Sequence, residues 1–440
     1  MSAILSSLRR FVLAPIGLSS PVKLSHNADA SVVVGDGGQR LIDIVKAECP
    51  SLYGPSAFYT PFPILGGGHA ATIFAAMADF SRVDVLEYER VLLRAPDGGT
   101  IGLDFTPPFG VCPEDDRPIL VCVHGLTGGS HESYVRSVLG LATAPVSEGG
   151  LGWRGCVVNY RACAGVPLTT AKMFHAGFTE DLRRAIFYLS TRLPQAPLTG
   201  VGFSLGANVL TRYLGEEGDR TPLKAGVVLS CPWDLWAGHV ALSSSYMGSV
   251  YSRAMSSNLR NLMRKHIDVV SANERLKLDC IYGNDRATLY EFDNQVTRIL
   301  GGFPSVEDYY ISQSAVRVLD QVRVPLLGWH AMNDPITAAS CLPTDSSNGH
   351  FILATTQAGG HLGTWTGTGK TRWLRKPVAE FLSAVVRADP KPRPHPYAAS
   401  QDDAGFTVAA DRPEIGFKVL GAETLKGGQE NGDAGVTKGF

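Results

Sequence analysis

The sequence lacks the patterns that would carry most other chemistries. It has 8 cysteines but no CxxC pair and no His/Cys ligand spacing, so neither disulfides nor zinc are expected. Cys122 and Cys156 sit inside apolar runs, where a thiol behaves as a small hydrophobe, which suits a reducing, intracellular compartment. A formal net charge of −1, with no basic cluster, gives no footing for a nucleic-acid partner. No stretch approaches the roughly 20 apolar residues that span a bilayer. Neither a dinucleotide fingerprint nor a Walker sequence is present, so the glycines are not phosphate binders and no cofactor is expected.

What remains is an ordinary globular composition: 440 residues, 44% hydrophobic and 18% charged, enough for one large catalytic domain with loose ends. The opening MSAILSSLRRFVLAPIGLSS has Arg9, Arg10 and several serines but no acid. It suits a mitochondrial presequence, a helix on a membrane or lipid-droplet surface, or a plain amphipathic lead-in. Residues 1–60 show no sustained period and read as an approach segment over the core. Beyond Asp389, KPRPHP and a run rich in Gly, Asp and Glu are too poor in apolar residues to fold, so 389–440 reads as a disordered tail.

Between these ends, in residues 61–388, short apolar runs alternate with helical patterns, as in a mostly parallel sheet flanked by helices. Arg90 to Ala95 and Thr100 to Thr106 flank Pro96-Asp97-Gly98-Gly99, a hairpin signal. The candidate parallel strands are Pro118 to His124, Gly155 to Tyr160, Leu198 to Phe203, Ala225 to Ser230, Val324 to Ala331 and His350 to Thr355. Ligands of such sheets sit beyond the carboxyl ends of the strands. From about 233 to 321 there is no core strand. Aromatic, Met and Leu residues at helical spacing predict a helical insertion there, a candidate lid packed on the core.

Gly202-Phe203-Ser204-Leu205-Gly206 is a GxSxG sequence between an apolar strand and the helical ANVLTRYLG. That context defines the nucleophile turn of the α/β-hydrolase fold, where tight geometry presents a serine at a strand tip. A serine hydroxyl needs a base to take its proton, and this fold supplies acid and then histidine in chain order. Asp334 follows the strand VPLLGWHA in the turn Asn333-Asp334-Pro335, and His361 follows the strand HFILATT and the loop QAGG. His330 is the rival base, but it precedes the acid; Asp345 is the rival acid, but it lies in the polar loop TDSSNG. The loop after His124-Gly125 would supply one oxyanion N–H from Leu126, and Leu205 the other.

Further segments match no general motif: GGGHAATIF, DGGTIGLDF, CVHGLTGGSHESYVR, VVNYRACAGVPLTTAKMF, GFSLGANVLTRYLGEEGD, NDPI and GGHLG. With them the chain resembles one branch of the α/β-hydrolase superfamily, the hydrolase-4 family. That branch groups bacterial YheT-like hydrolases, plant embryogenesis-associated hydrolases, and fungal medium-chain fatty acid ethyl ester synthase/esterases and monoacylglycerol lipases. NYRACAG and RYLGEEGD resemble the fungal members most. The resemblance implies a triad of Ser204, Asp334 and His361 acting on acyl esters of short or medium chain length or on monoacylglycerols. It also implies, in some fungal members, transfer of the acyl group to an alcohol; an alcohol O-acyltransferase using acyl-CoA or an ester donor is the second enzymatic reading. The chain departs from the family at Ala71, where Gln is common, and at Ala162, where Gly is common. HxxxxD, an acyltransferase signature, is absent, though an acyl-serine enzyme can transfer without it. A non-catalytic scaffold is the remaining alternative.

Overall fold

The computed structural model describes residues 19–111, 116–283 and 286–426. The arginine-bearing segment of residues 1–18 and Cys112 lie outside them.

Twelve strands form one sheet. In chain order they are β1 (Lys23–His26), β2 (Glu87–Arg94), β3 (Thr100–Thr106), β4 (Ile119–Val123), β5 (Arg154–Asn159) and β6 (Leu198–Phe203). They continue with β7 (Leu223–Leu229), β8 (Leu326–Ala331), β9 (Phe351–Thr356), β10 (Ala399–Gln401), β11 (Thr407–Ala409) and β12 (Arg412–Lys426). Across the sheet the order is β10-β11-β12-β2-β3-β5-β4-β6-β7-β8-β9-β1. The six strands from β5 to β9 pair in parallel, and the strands outside them are antiparallel.

The parallel strands are apolar on both faces because both faces are covered. In β4, Ile119, Val121 and Val123 enter one core while Leu120 and Cys122 enter the other. That split is the period-2 alternation of a strand between two layers. On the first face pack α4 (Glu180–Arg192) and α5 (Leu205–Glu217); on the second pack α1 (Leu41–Glu48), α3 (Ser133–Thr143) and α9 (Arg375–Ala388). The helix between α1 and α3 in the chain is α2 (Gly68–Met77).

Between β7 and β8 the described residues contain helices and no strand. α6 (Leu235–Ser243) is capped by Asp234, whose side chain accepts the Ala237 N–H. α7 (Tyr246–Lys265) is capped in the same way by Ser245. After shorter turns, one of them opened by a Thr288–Glu291 capping box, α8 (Val306–Gln313) leads back to the sheet. None of the described helices is long and apolar enough to cross a membrane.

Both ends of the chain differ from the sequence expectation. Within the segment read as laid over the core, Leu41–Glu48 does pack on one face, but residues 23–26 go further and close one edge of the sheet as β1, paired with β9. Nor is the segment after Asp389 a disordered tail as far as residue 426. It forms the β10-β11-β12 meander, and β12 pairs with β2 from Lys418 to Lys426. Average composition hid a local alternation: Ile415 and Phe417 are both buried, and Phe417 meets Phe187 and Tyr188 of α4 edge-on. A register shift between Val419 and Gly421 then breaks the pattern that a sequence scan would follow. Residues 427–440 lie outside the described residues.

Candidate active site

β6 ends at Phe203, and α5 begins two residues later at Leu205. Ser204 alone makes the turn, at φ 52° and ψ −119°, a strained region for a residue with a side chain. The flanking glycines are what allow it. A methyl at Gly202 would come within 2.5 Å of the Gly206 carbonyl oxygen. A methyl at Gly206 would come within 2.1 Å of the Val123 carbonyl oxygen. Both obstacles are backbone and cannot swing aside. Gly206→Ala is therefore expected to cost about 1–3 kcal/mol of stability and to lower kcat by roughly 100-fold through displacement of Ser204. Thermal melting and ester turnover read the two effects, and a variant with wild-type values for both would contradict this account of the turn.

The structure brings the three residues expected to work together into one hydrogen-bonded row. His361 Nε2 is 2.8 Å from Ser204 Oγ, and His361 Nδ1 is 2.9 Å from Asp334 Oδ2. All three are buried. Asp334 is held from several sides: Oδ1 accepts the N–H groups of Ile336 and Thr337, and Oδ2 also accepts the Thr337 hydroxyl. Burial alone would raise the Asp334 carboxyl. The adjacent His361, its hydrogen bond, His330 and the Thr337 amide outweigh burial and hold the group well below the usual carboxylate range. An ionised carboxylate only accepts, so the His361 proton sits on Nδ1 and Nε2 is free to accept from the serine.

The rivals fall elsewhere. Asp345 is exposed in its loop. His330 is fully buried in β8, where desolvation lowers its pKa and disfavours the charged form.

After β4, the His124 ring is fixed by two backbone groups. Nδ1 donates to the Gly125 carbonyl at 2.8 Å, and Nε2 accepts the Tyr160 N–H at 3.3 Å. Burial pushes its pKa down to about 3, so the ring is neutral and the two bonds are consistent with one tautomer. The loop then runs past Leu126, narrowed at Gly129, where a methyl would come within 2.4 Å of the Ala164 Cβ. Leu126 and Leu205 line the same cavity as Ser204. Leu205 opens α5, where the first N–H groups of a helix have no partner within it.

That cavity, about 140 Å³, lies between the carboxyl ends of the parallel strands and the helical insert. Most of its wall is apolar: Phe174, Trp233, Leu235, Met255 and Leu259 contribute, together with Ile336 from the Asp334 turn.

The model of the alpha/beta hydrolase fold family matches residues 118–361, more than half of the chain. The chain belongs to the α/β-hydrolase family. It is 30% identical to a monoacylglycerol lipase of Saccharomyces cerevisiae over 77% of this chain and 83% of that protein. The embryogenesis-associated protein EMB8 of Picea glauca is 34% identical over 75% of this chain and 73% of its own length. A medium-chain fatty acid ethyl ester synthase/esterase 2 of S. cerevisiae is 26% identical over 83% of this chain and 96% of its own length.

This α/β-hydrolase also holds its histidine loop with residues that no catalytic motif marks. The His361 N–H donates to Thr72 Oγ1 at 2.9 Å, and that hydroxyl donates to the Gly68 carbonyl at 2.7 Å. Gly360 N–H donates to Asn333 Oδ1, and Asn333 Nδ2 donates to the Gly66 carbonyl. Gly66, Gly68 and Thr72 lie in GGGHAATIF, whose work is to buttress the loop from across the fold. Thr72→Val keeps the shape but leaves the buried His361 N–H unpaired, at about 1–3 kcal/mol. The expected result is kcat lowered roughly 10- to 100-fold with KM little changed. Steady-state kinetics check it, and a loss falling on KM alone would contradict the positioning role.

Proposed function

We propose that this α/β-hydrolase is a serine esterase/lipase that cleaves acyl esters, with medium-chain esters and monoacylglycerols as the substrate class. The observation that carries the reading is the row Ser204 Oγ, His361 Nε2, His361 Nδ1, Asp334 Oδ2 at the wall of an apolar cavity. The substrate class draws its support from relatives named monoacylglycerol lipase and medium-chain fatty acid ethyl ester synthase/esterase.

In this reading Ser204 Oγ attacks the ester carbonyl as His361 Nε2 takes its proton. The N–H groups of Leu126 and Leu205 receive the oxyanion, and the ionised Asp334 steadies the imidazolium that forms. Collapse expels the alcohol, which takes the proton from His361 and leaves an acyl-serine. Water, deprotonated by the same histidine, then releases the acid and restores Ser204. Hydrolysis is favoured over transfer to an alcohol. A scaffold without catalysis would have no need of nucleophile, base and acid in one row.

The test is a panel of esters of graded chain length, run with and without ethanol, with products separated. Free acid as the main product, and a rate that depends on chain length, is the expected result. Ethyl ester as the main product would replace hydrolysis by transfer, and turnover of no ester would remove the reading.

A further inference from the structure

The helical insert places in the cavity wall a group that an acyl chain cannot use. Asp293 lines the same cavity as Ser204 and is only 5% exposed. Its hydrogen-bond partners are two hydroxyls: Thr297 Oγ1 at 2.5 Å and Tyr310 OH at 2.6 Å, both on residues that line the cavity as well. No cation compensates it among the described residues. Burial raises its pKa to about 6, against the two hydrogen bonds, which lower it.

The backbone is shaped around this cluster. Asp293–Thr297 is a turn of π-helix between the α-helical turns Leu289–Phe292 and Arg298–Gly301, a local widening frequent at functional sites. Asp293 and Thr297, four residues apart, share one face of this turn. Tyr310 is held from α8, where its carbonyl accepts the Ser314 hydroxyl at 2.6 Å.

A carboxylate offers about four acceptor positions, and two are occupied by these hydroxyls. A hydrocarbon lying against it would leave the remaining capacity buried and unpaired. A ligand hydroxyl would use it. A ligand ammonium would too, but it would have to shed a far larger hydration energy to reach a single carboxylate.

We propose that Asp293, with Tyr310 and Thr297, is a hydroxyl-recognition subsite, and that the preferred esters carry a free hydroxyl that reaches the insert. This rests on the esterase reading above and adds a specificity determinant to it. The hydroxyl could belong to the alcohol or to the acyl part, so two substrate pairs separate the sources. One pair is the glycerol mono-ester and the propyl ester of the same medium-chain acid. The other is the ethyl esters of a terminally hydroxylated acid and of its plain counterpart. The choline ester of the medium-chain acid serves as the cationic comparison.

The wild-type enzyme is expected to favour the hydroxylated member of one pair by about 10-fold or more in kcat/KM. In Asp293→Asn that ratio should collapse toward one, the loss falling mainly on the hydroxylated ester. Tyr310→Phe, which keeps the ring and its packing, should lower the ratio in the same direction and guards against a misfolded Asp293 variant. A purely structural role would lower both members of a pair alike and leave the ratio unmoved, which overturns the proposal. So would equal wild-type turnover within both pairs, or a preference for the choline ester over the glycerol ester. Absence of turnover with every ester would instead overturn the esterase reading beneath it.

Discussion

Ser204→Ala is expected to lower kcat/KM for a medium-chain ester by about 10^4- to 10^6-fold, the range seen when a triad nucleophile is removed. Ser204 Oγ is the hydroxyl that His361 Nε2 meets at the end of the row from Asp334. Taking it away leaves a base with nothing to deprotonate except water. The fold should survive, because the Ser204 backbone, not its hydroxyl, makes the bonds that shape the turn: its N–H donates to the Leu229 carbonyl, and its carbonyl accepts the Ala207 N–H. His361→Ala should cost nearly as much, and the double variant little more than either, because the two act as one unit. Initial rates and melting curves of the three variants check this. Independent, multiplying losses would mean that serine and histidine do not share a step.

Ending the chain after Asp411 is expected to cost most of the stability. Termination removes β12 and strips the β2 edge of its partner from Glu87 to Arg94. It also removes Ile415 and Phe417 from the core, and with them the α4 contacts of Phe417. Two large side chains withdrawn from burial amount to about 3–6 kcal/mol. That is a large share of the roughly 5–15 kcal/mol that holds a domain together. The bare edge would then invite pairing between chains. The shortened protein should be recovered mainly as aggregate or melt far below the full chain, as solubility and calorimetry would show. Equal melting temperatures would mean that β12 is dispensable.

The parts read correctly from sequence share one property: their signal is local. The six parallel strands are continuous apolar runs because both faces are buried, and the nucleophile turn is five consecutive residues. Chain order also led to Asp334 and His361, each after a strand's carboxyl end, and the structure places His361 in hydrogen-bond reach of both Asp334 and Ser204; their roles are the proposal. The parts that were missed depend on contacts the chain makes with itself at long range. Thr72 supports His361 from 289 positions away through one hydroxyl; its segment GGGHAATIF stands out in the sequence, but nothing in it says which residue acts or on what. β12 escapes a sequence scan for a different reason: among its described positions the buried Ile415 and Phe417 stand beside a run of exposed residues and glycines, so no sustained apolar pattern marks the strand. Asp293 was invisible because a π-turn has no periodic signature, and a lone acid in a helical insert reads as solvated surface.

Covalent labelling of the intact protein with a fluorophosphonate, followed by peptide mass analysis, asks directly whether Ser204 is the nucleophile. The account predicts one phosphonyl group on the peptide that carries Ser204, a label abolished in Ser204→Ala and sharply slowed in His361→Ala. Labelling that persists in Ser204→Ala, or a wild-type protein that cleaves esters yet takes no label at Ser204, would contradict it.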